Sequence, residues 1–199
     1  MKSLKVRAKT CAKARILSLS EFFTPRLSGF AGDQRGVSAV EFALILPLML
    51  TLYFGCVEIS QGIGADRKVT LTSRTVADLV SQMSSISNSD MTNSLNAASA
   101  VMAPYSASDL QVTVSSVAID ANGHATVAWS DTRNGTVRPQ GTPVTLPAAF
   151  VVPNTSVIWS EVQYTYTPAI GYVVTGTLVL KDQIYMRPRV SRSVTRTAS

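Results

Sequence analysis

VSAVEFALILPLMLTLYFGCV, residues 37–57, is the stretch that decides how this chain is read, and its one charged side chain is Glu41. At ~1.5 Å per residue, a helix over these positions spans ~31 Å, which matches the ~30 Å of a bilayer's hydrocarbon core. No other apolar run approaches the length of a crossing. The next best, Leu146 to Val152, is short and is interrupted by Pro147. The sequence therefore predicts one membrane span.

The 199 residues allow a single folded domain beside that span. Charged residues are only 15% of the chain and the mean hydropathy is +0.20, a balance that suggests lipid contact. The net charge of +6 belongs to the ends. Residues 1–36 carry eight Lys or Arg against Glu21 and Asp33, residues 37–180 carry five basic against nine acidic groups, and residues 181–199 carry five against one. No aromatic residues interleave with the basic ones of the leader as a base-stacking surface requires, so no nucleic-acid partner is expected. With the basic excess ahead of the span, the positive-inside rule places residues 1–36 in the cytoplasm and everything after about Glu58 on the far side. Cys11 and Cys56 fall in the leader and the span, which leaves the exported part without a disulfide. The bulky Tyr53-Phe54-Gly55-Cys56 suits neither a signal-peptidase site nor a lipoprotein box.

Glu41 is the fifth residue past Gly36, where a charge in lipid costs up to ~3.5 kcal/mol. It either reaches for the headgroups or is neutralised by burial, or else a cation lies beside it. Pro47 falls in mid-span, removes one backbone N–H and strains the carbonyl of Ala43, so a kink is expected there. Neighbouring helices can repair such a loss. A local break can equally serve packing in a filament or extraction from the bilayer.

The octapeptide Arg35-Gly36-Val37-Ser38-Ala39-Val40-Glu41-Phe42 resembles a type IV prepilin processing site, with Phe42 where processed members often carry Tyr. The longer stretch GVSAVEFALILPLMLTLYFGCVEIS, followed by RTVADLVSQ at 74–82, resembles the TadE-like proteins of the tight-adherence (Tad/Flp) pilus system. Ala103-Pro104-Tyr105, Val127-Ala128-Trp129-Ser130 and Met186-Arg187-Pro188-Arg189 fit the same family. The resemblance implies a minor pseudopilin of the bacterial inner membrane, cut by a prepilin peptidase between Gly36 and Val37 on the cytoplasmic face. The new α-amino cation at Val37 would then pair with Glu41 of a neighbouring subunit. The partners implied are the inner membrane, other Tad pilus subunits and the assembly platform, and the peptidase. The alternative is an uncleaved, TadG-like periplasmic binding or scaffold module on the same anchor.

Beyond the span, Gly62 and Gly64 are expected to interrupt the helix before Asp66 caps a second helical run. Val69, Val76, Leu79, Val80, Met83 and Ile86 form its apolar stripe, which needs a sheet to cover it. A Ser/Asn-rich break at 84–90 precedes a short helix with Leu95, Ala98 and Met102 on one side, stopped by Pro104. Strands are expected from Leu110 to Ile119 and from Ala125 to Ser130, the latter with Val127 and Trp129 on one face, joined by the turn Asp120-Ala121-Asn122-Gly123-His124. A loop follows from Asp131 to Pro143. From Ser156 to Thr167, Ile158, Val162, Tyr164 and Tyr166 oppose Val157, Trp159, Glu161 and Gln163, and Tyr172 to Lys181 reads as the hairpin partner, with Ile184 to Met186 a further extension. The fold class is α+β and pilin-like: an N-terminal transmembrane helix continuing into an amphipathic helix on an antiparallel sheet of about four or five strands. The boundaries are a leader at 1–36, a transmembrane helix at 37–59, an exported domain at 60–186 and a basic tail at 187–199.

His124, the single histidine, falls in a turn, and the exported domain has no cysteine, so no zinc or Cys-His site is expected. Asp109, Asp120, Asp131 and Glu161 show no general-acid pairing, and no phosphate loop is present. The expectation is a protein that is not an enzyme and takes no cofactor, metal or small-molecule substrate. Arg187, Arg189, Arg192 and Arg196 either meet an acidic neighbour or form a solvated, partly disordered end.

Overall fold

The structure is a computed structural model that describes residues 35–168, 170–171 and 175–197; the leader up to residue 34 lies outside them. The described residues divide into two units at Met49 and Leu50. The first consists of the opening turns of helix α1, Arg35–Ser81, and the second holds the rest of that helix and the whole sheet.

Helix α1 is continuous over 47 residues, so Gly62 and Gly64 do not end it and Asp66 caps nothing. Their role is close packing. A Cβ added at Gly64 would stand 2.8 Å from the hydroxyl of Tyr105, which donates a hydrogen bond to the carbonyl of Gln61 at 3.0 Å. A Cβ at Gly62 would be 3.8 Å from the ring of Tyr166. Each glycine costs the helix about 1 kcal/mol relative to alanine, and the aromatic packing admitted by the gap offsets that. Tyr105 sits edge-on to both Tyr164 and Tyr166, with centroids 6.3 and 6.2 Å away.

Ala65, Val69, Val76, Ala77 and Val80 are fully buried, one stripe at three- and four-residue spacing, as expected for this half of the helix. Leu79 and Met83 are half-buried, and Ile86 lies past the helix in strand β1, Ser85–Ile86. Helix α2, Asn88–Met102, starts at a reciprocal cap: Ser87 Oγ accepts from Asp90 N–H, and the Asp90 carboxylate accepts from Ser87 N–H. Those Ser87 bonds hold the Asp90 carboxyl below the usual carboxylate range.

The main sheet comprises β2 (Leu110–Ile119), β3 (Ala125–Arg133), β4 (Thr155–Tyr166) and β5 (Leu178–Met186), antiparallel throughout in the order β3-β2-β4-β5. Strand β4 alternates as its sequence predicts. Ile158, Val162, Tyr164 and Tyr166 join Val69, Val76 and Val80 of α1 in the main core. The fifth expected stretch merges with the fourth: β5 begins at Leu178 and runs unbroken through Ile184 to Met186. Tyr172 to Val174, expected in that strand, lie outside the described residues.

Val127 and Trp129 do not share a face. Pairing steps from Val117↔Val127 to Ser116↔Trp129, so Ala128 is an extra residue on β3 and forms a bulge. Trp129 is thereby turned toward the main core, and its indole N–H donates to the carbonyl of Val194 at 2.7 Å. The opposite face of the sheet holds a second core of Val117, Ile119, Ala125, Leu146 and Val157, covered by Val144, Phe150 and Val151.

The basic tail is ordered over its described part, in contrast to the solvated end expected of it. Arg189 N–H donates to the carbonyl of Ser81 at 2.8 Å, Val194 is buried, and β6 (Thr195–Arg196) pairs in parallel with β1. The Arg196 guanidinium donates to Asp131 at 2.7 Å, to the side chain of Asn88 at 2.6 Å and to the carbonyl of Ile86 at 3.2 Å. A repeated Arg pattern carries no record of partners so distant in sequence, which is why composition suggested a free end.

Two outcomes test this packing by thermal unfolding of the full chain in detergent micelles. Gly64→Ala lowers stability by about 1–3 kcal/mol, and adding Tyr105→Phe restores part of the loss by removing the atom in the way. Thr72 Oγ1 is buried in the α1 seat without a hydrogen-bond partner, so Thr72→Val raises stability by about 1 kcal/mol.

Candidate functional site: an exposed apolar helix end and two surface hollows

The expected site residues Gly36, Val37, Glu41, Phe42 and Pro47 all lie on the first turns of α1, and every side chain from 36 to 50 is exposed. Phe42 is 63% exposed and Leu44 75%. A contiguous apolar surface of this kind needs lipid or protein around it. Among the described residues nothing lies within 4 Å of a Cβ built on Gly36. Pro47 lies within the helix. Glu41 is the one ionisable residue of the sequence between Gly36 and Met49.

The helix is one candidate membrane span, Gly36–Ser81, whose most apolar window has a mean hydropathy of 2.0. Its 46 residues measure ~69 Å, more than twice a hydrocarbon core, so lipid can take only part of it. Burial marks the division. Side chains are exposed as far as Leu50, whereas Gly55, Glu58, Ala65 and Val69 are buried. Glu58 is 2% exposed, an acid that sequence reasoning passed over as a flank of the span. The Tyr166 hydroxyl is pushed up by burial, by nearby Tyr105 and by the charge of Glu58.

Two hollows lie on the second unit. One, about 570 Å³, occupies the open half of the sheet's outer face and is lined by Gln111, Thr113, Arg138, Glu161, Gln163 and Lys181. Arg138 pairs with Glu161 and lies over the Trp159 ring at 3.9 Å, while Tyr185 stacks on Trp159 with centroids 5.5 Å apart. Glu161 is thus held by a cation from the loop after β3, a contact the sequence does not announce. The other hollow, about 290 Å³, is mostly apolar and lies between α1 and the start of β5, lined by Ile59, Ile63, Leu178 and Leu180, with Glu58 and Asp66 also on its wall.

His124 is in the β2–β3 turn beside Asp120, which accepts from the backbone N–H groups of Asn122 and His124 at 2.8 Å each. The His124 backbone bond is the main reason that the Asp120 carboxyl lies below its usual range. Asp109, Asp131 and Glu161 are not brought together. Among the described residues no group of three His, Cys, Asp or Glu is placed to hold a metal.

No curated protein and no solved structure matches the chain. One family model does, over residues 36–78, which is α1 apart from Arg35 and its last three residues. Over that helix, from the exposed apolar turns into the stripe seated on the sheet, the chain matches the family described as TadE-like protein.

Proposed function

We propose that the chain is a membrane-anchored, minor pseudopilin-like component of Tad/Flp pilus assembly that works by helix packing and subunit contact, without catalytic turnover. The observation that supports this most is Glu41, the one acid in the exposed apolar turns, five residues past a basic-Gly pair and on a helix continuous with the domain's core. The TadE-like match covers the same helix. In this reading residues 1–36 stay in the cytoplasm, the first half of α1 crosses the inner membrane, and the domain from about residue 60 is periplasmic.

Cleavage after Gly36 would free an amine at Val37, one turn of helix from Glu41. Within one subunit the pair is close in sequence; between adjacent subunits it sets the axial register at which two apolar helices pack. Removing either partner strands the other charge in lipid, which is strongly unfavourable, whereas the matched pair roughly compensates its own desolvation. Enzymatic activity has no support in the scattered acids and the solvent-facing His124.

N-terminal sequencing of the protein from cells with and without their prepilin peptidase tests the reading. A start at Val37 that depends on the peptidase supports it, and a retained leader points to the uncut anchored scaffold instead. In the same cells Glu41→Gln leaves membrane insertion intact but lowers assembled pili by about tenfold or more, the equivalent of ~1.4 kcal/mol of lost subunit contact. Wild-type piliation from that variant would overturn the proposal.

A further inference from the structure

The predicted span ends near Val57, yet the next exposed charged residue on α1 is Asp66. Between them Glu58 is buried, and Ile59 and Ile63 are 53% and 51% exposed on the rim of the apolar hollow. The hollow's opposite wall is the end of the β4–β5 hairpin. From Thr167 to Leu180 the sequence has no Asp, Glu, Lys, Arg or His. Ile170, Leu178 and Val179 expose 48%, 41% and 52% of their surface there. The Tyr166 hydroxyl meets the side chain of Gln61 at 3.4 Å, which puts this end of the sheet level with the helix turns just past the span.

Distances along the helix fix what surrounds those side chains. Ile59 and Ile63 lie ~3 and ~9 Å beyond Val57. The headgroup region adds ~5–8 Å to each side of the hydrocarbon, and amphipathic surfaces settle ~5–10 Å into that boundary. Arg67 and Lys68 follow at ~15 and ~17 Å, clear of the headgroups, where their charges stand in water.

We infer that the membrane-proximal end of the domain is itself a lipid-binding surface: Ile59, Ile63 and Leu178 rest in the headgroup layer of the leaflet from which α1 emerges, and the hollow they line receives a phospholipid acyl chain. The argument for lipid over a protein partner is continuity. Apolar side chains run on from the span through Ile59 and Ile63 to Leu178; of the two acids that also line the hollow, Glu58 is buried and Asp66 stands furthest along α1 from the span. This rests on the reading of residues 37–57 as a membrane span and adds a second, peripheral contact to it.

The test uses the full chain with Cys11→Ser and Cys56→Ala, reconstituted in nanodiscs of phosphatidylethanolamine and phosphatidylglycerol. A single nitroxide is placed in turn at Leu48→Cys, Ile59→Cys, Ile63→Cys, Leu178→Cys and Asn122→Cys, the last in the exposed turn at the far end of the sheet. The readout is the ratio of collision with oxygen, which partitions into lipid, to collision with a water-soluble nickel chelate. Ratios at 59, 63 and 178 several times that at 122, and close to that at 48, are expected. A lipid-like ratio at 48 with water-like ratios at 59, 63 and 178 would overturn the inference and leave the span standing. A water-like ratio at 48 would remove the span itself. Shielding of 63 and 178 from both reagents, with spin–spin broadening between copies, would assign the hollow to a second copy of the chain and overturn the lipid reading. Ile59 and Leu178 lie on different elements, so agreement between them guards against a local packing change at either label.

Discussion

The stripe Ala65, Val69, Val76 and Val80 against Ile158, Val162 and Tyr164 is the constraint on which the domain depends. One face of a single helix must be apolar toward a sheet, while its earlier turns must be apolar all round for lipid. The two demands differ in pattern, and the helix changes from one to the other within a few residues after Leu50. Each fully buried valine is worth about 1.5–3 kcal/mol, an upper figure for a chain whose unfolded state already hides some surface. Small residues at Ala65, Thr72 and Ser73 let the helix approach closely. Ser73 Oγ reaches the backbone carbonyl of Ser160 at 3.4 Å, although Thr72 Oγ1 and Ser160 Oγ find no partner among the described residues. Closeness has been obtained at some cost in polar satisfaction.

The sheet, too, has two unlike faces. Its inner side is buried by α1 together with Met91, Ala98 and Met102 of α2 and Val194 of the tail, whereas the outer side is covered at the end where Val144, Phe150 and Val151 cross Val117, Ile119 and Val157. The remaining outer surface keeps Gln111, Thr113, Gln163 and Lys181 in water around the Arg138–Glu161 pair. Trp159 bridges these regions, with Tyr185 on its apolar side and the Arg138 guanidinium over its ring. Strand alternation explains why polar and aromatic residues share that face: every second residue of β4 must point there, whatever covers it.

Much of this was legible in the sequence because the signals are local. The β4 alternation from Ile158 to Tyr166, the turn at Asp120 to His124 and the helix stopped at Pro104 each follow from neighbours within a few positions. What was not legible depends on partners far away. Gly62 and Gly64 look like helix breakers until Tyr166 and Tyr105, both far along the chain, are seen to lie against them. The Ala128 bulge depends on how β3 meets β2, and a strict two-residue period cannot reveal it. The start of β5 at Leu178 escaped because the β-branched residues before it carry the same propensity. The expected processing residues Gly36, Val37, Glu41 and Phe42 came from a family resemblance, and the fold sets them on one exposed helix end. The buried Glu58 offered no such signal.

The pairing of Ser85–Ile86 with Thr195–Arg196 has a consequence for the order of events during synthesis. These two short strands are 110 residues apart, and the second includes an arginine that ties α2, β1 and β3 together. A ribosome making about 5–20 residues per second delivers the second strand at least several seconds after the first. Until then the turn after α1 has an open edge, and the Trp129 indole lacks the carbonyl of Val194 that it binds in the finished fold. The nascent chain is therefore tethered early but locked last. A chaperone that recognises unpaired strands has its best opportunity in that interval, and a ribosome that stalled near residue 185 would leave a sheet without its fastening.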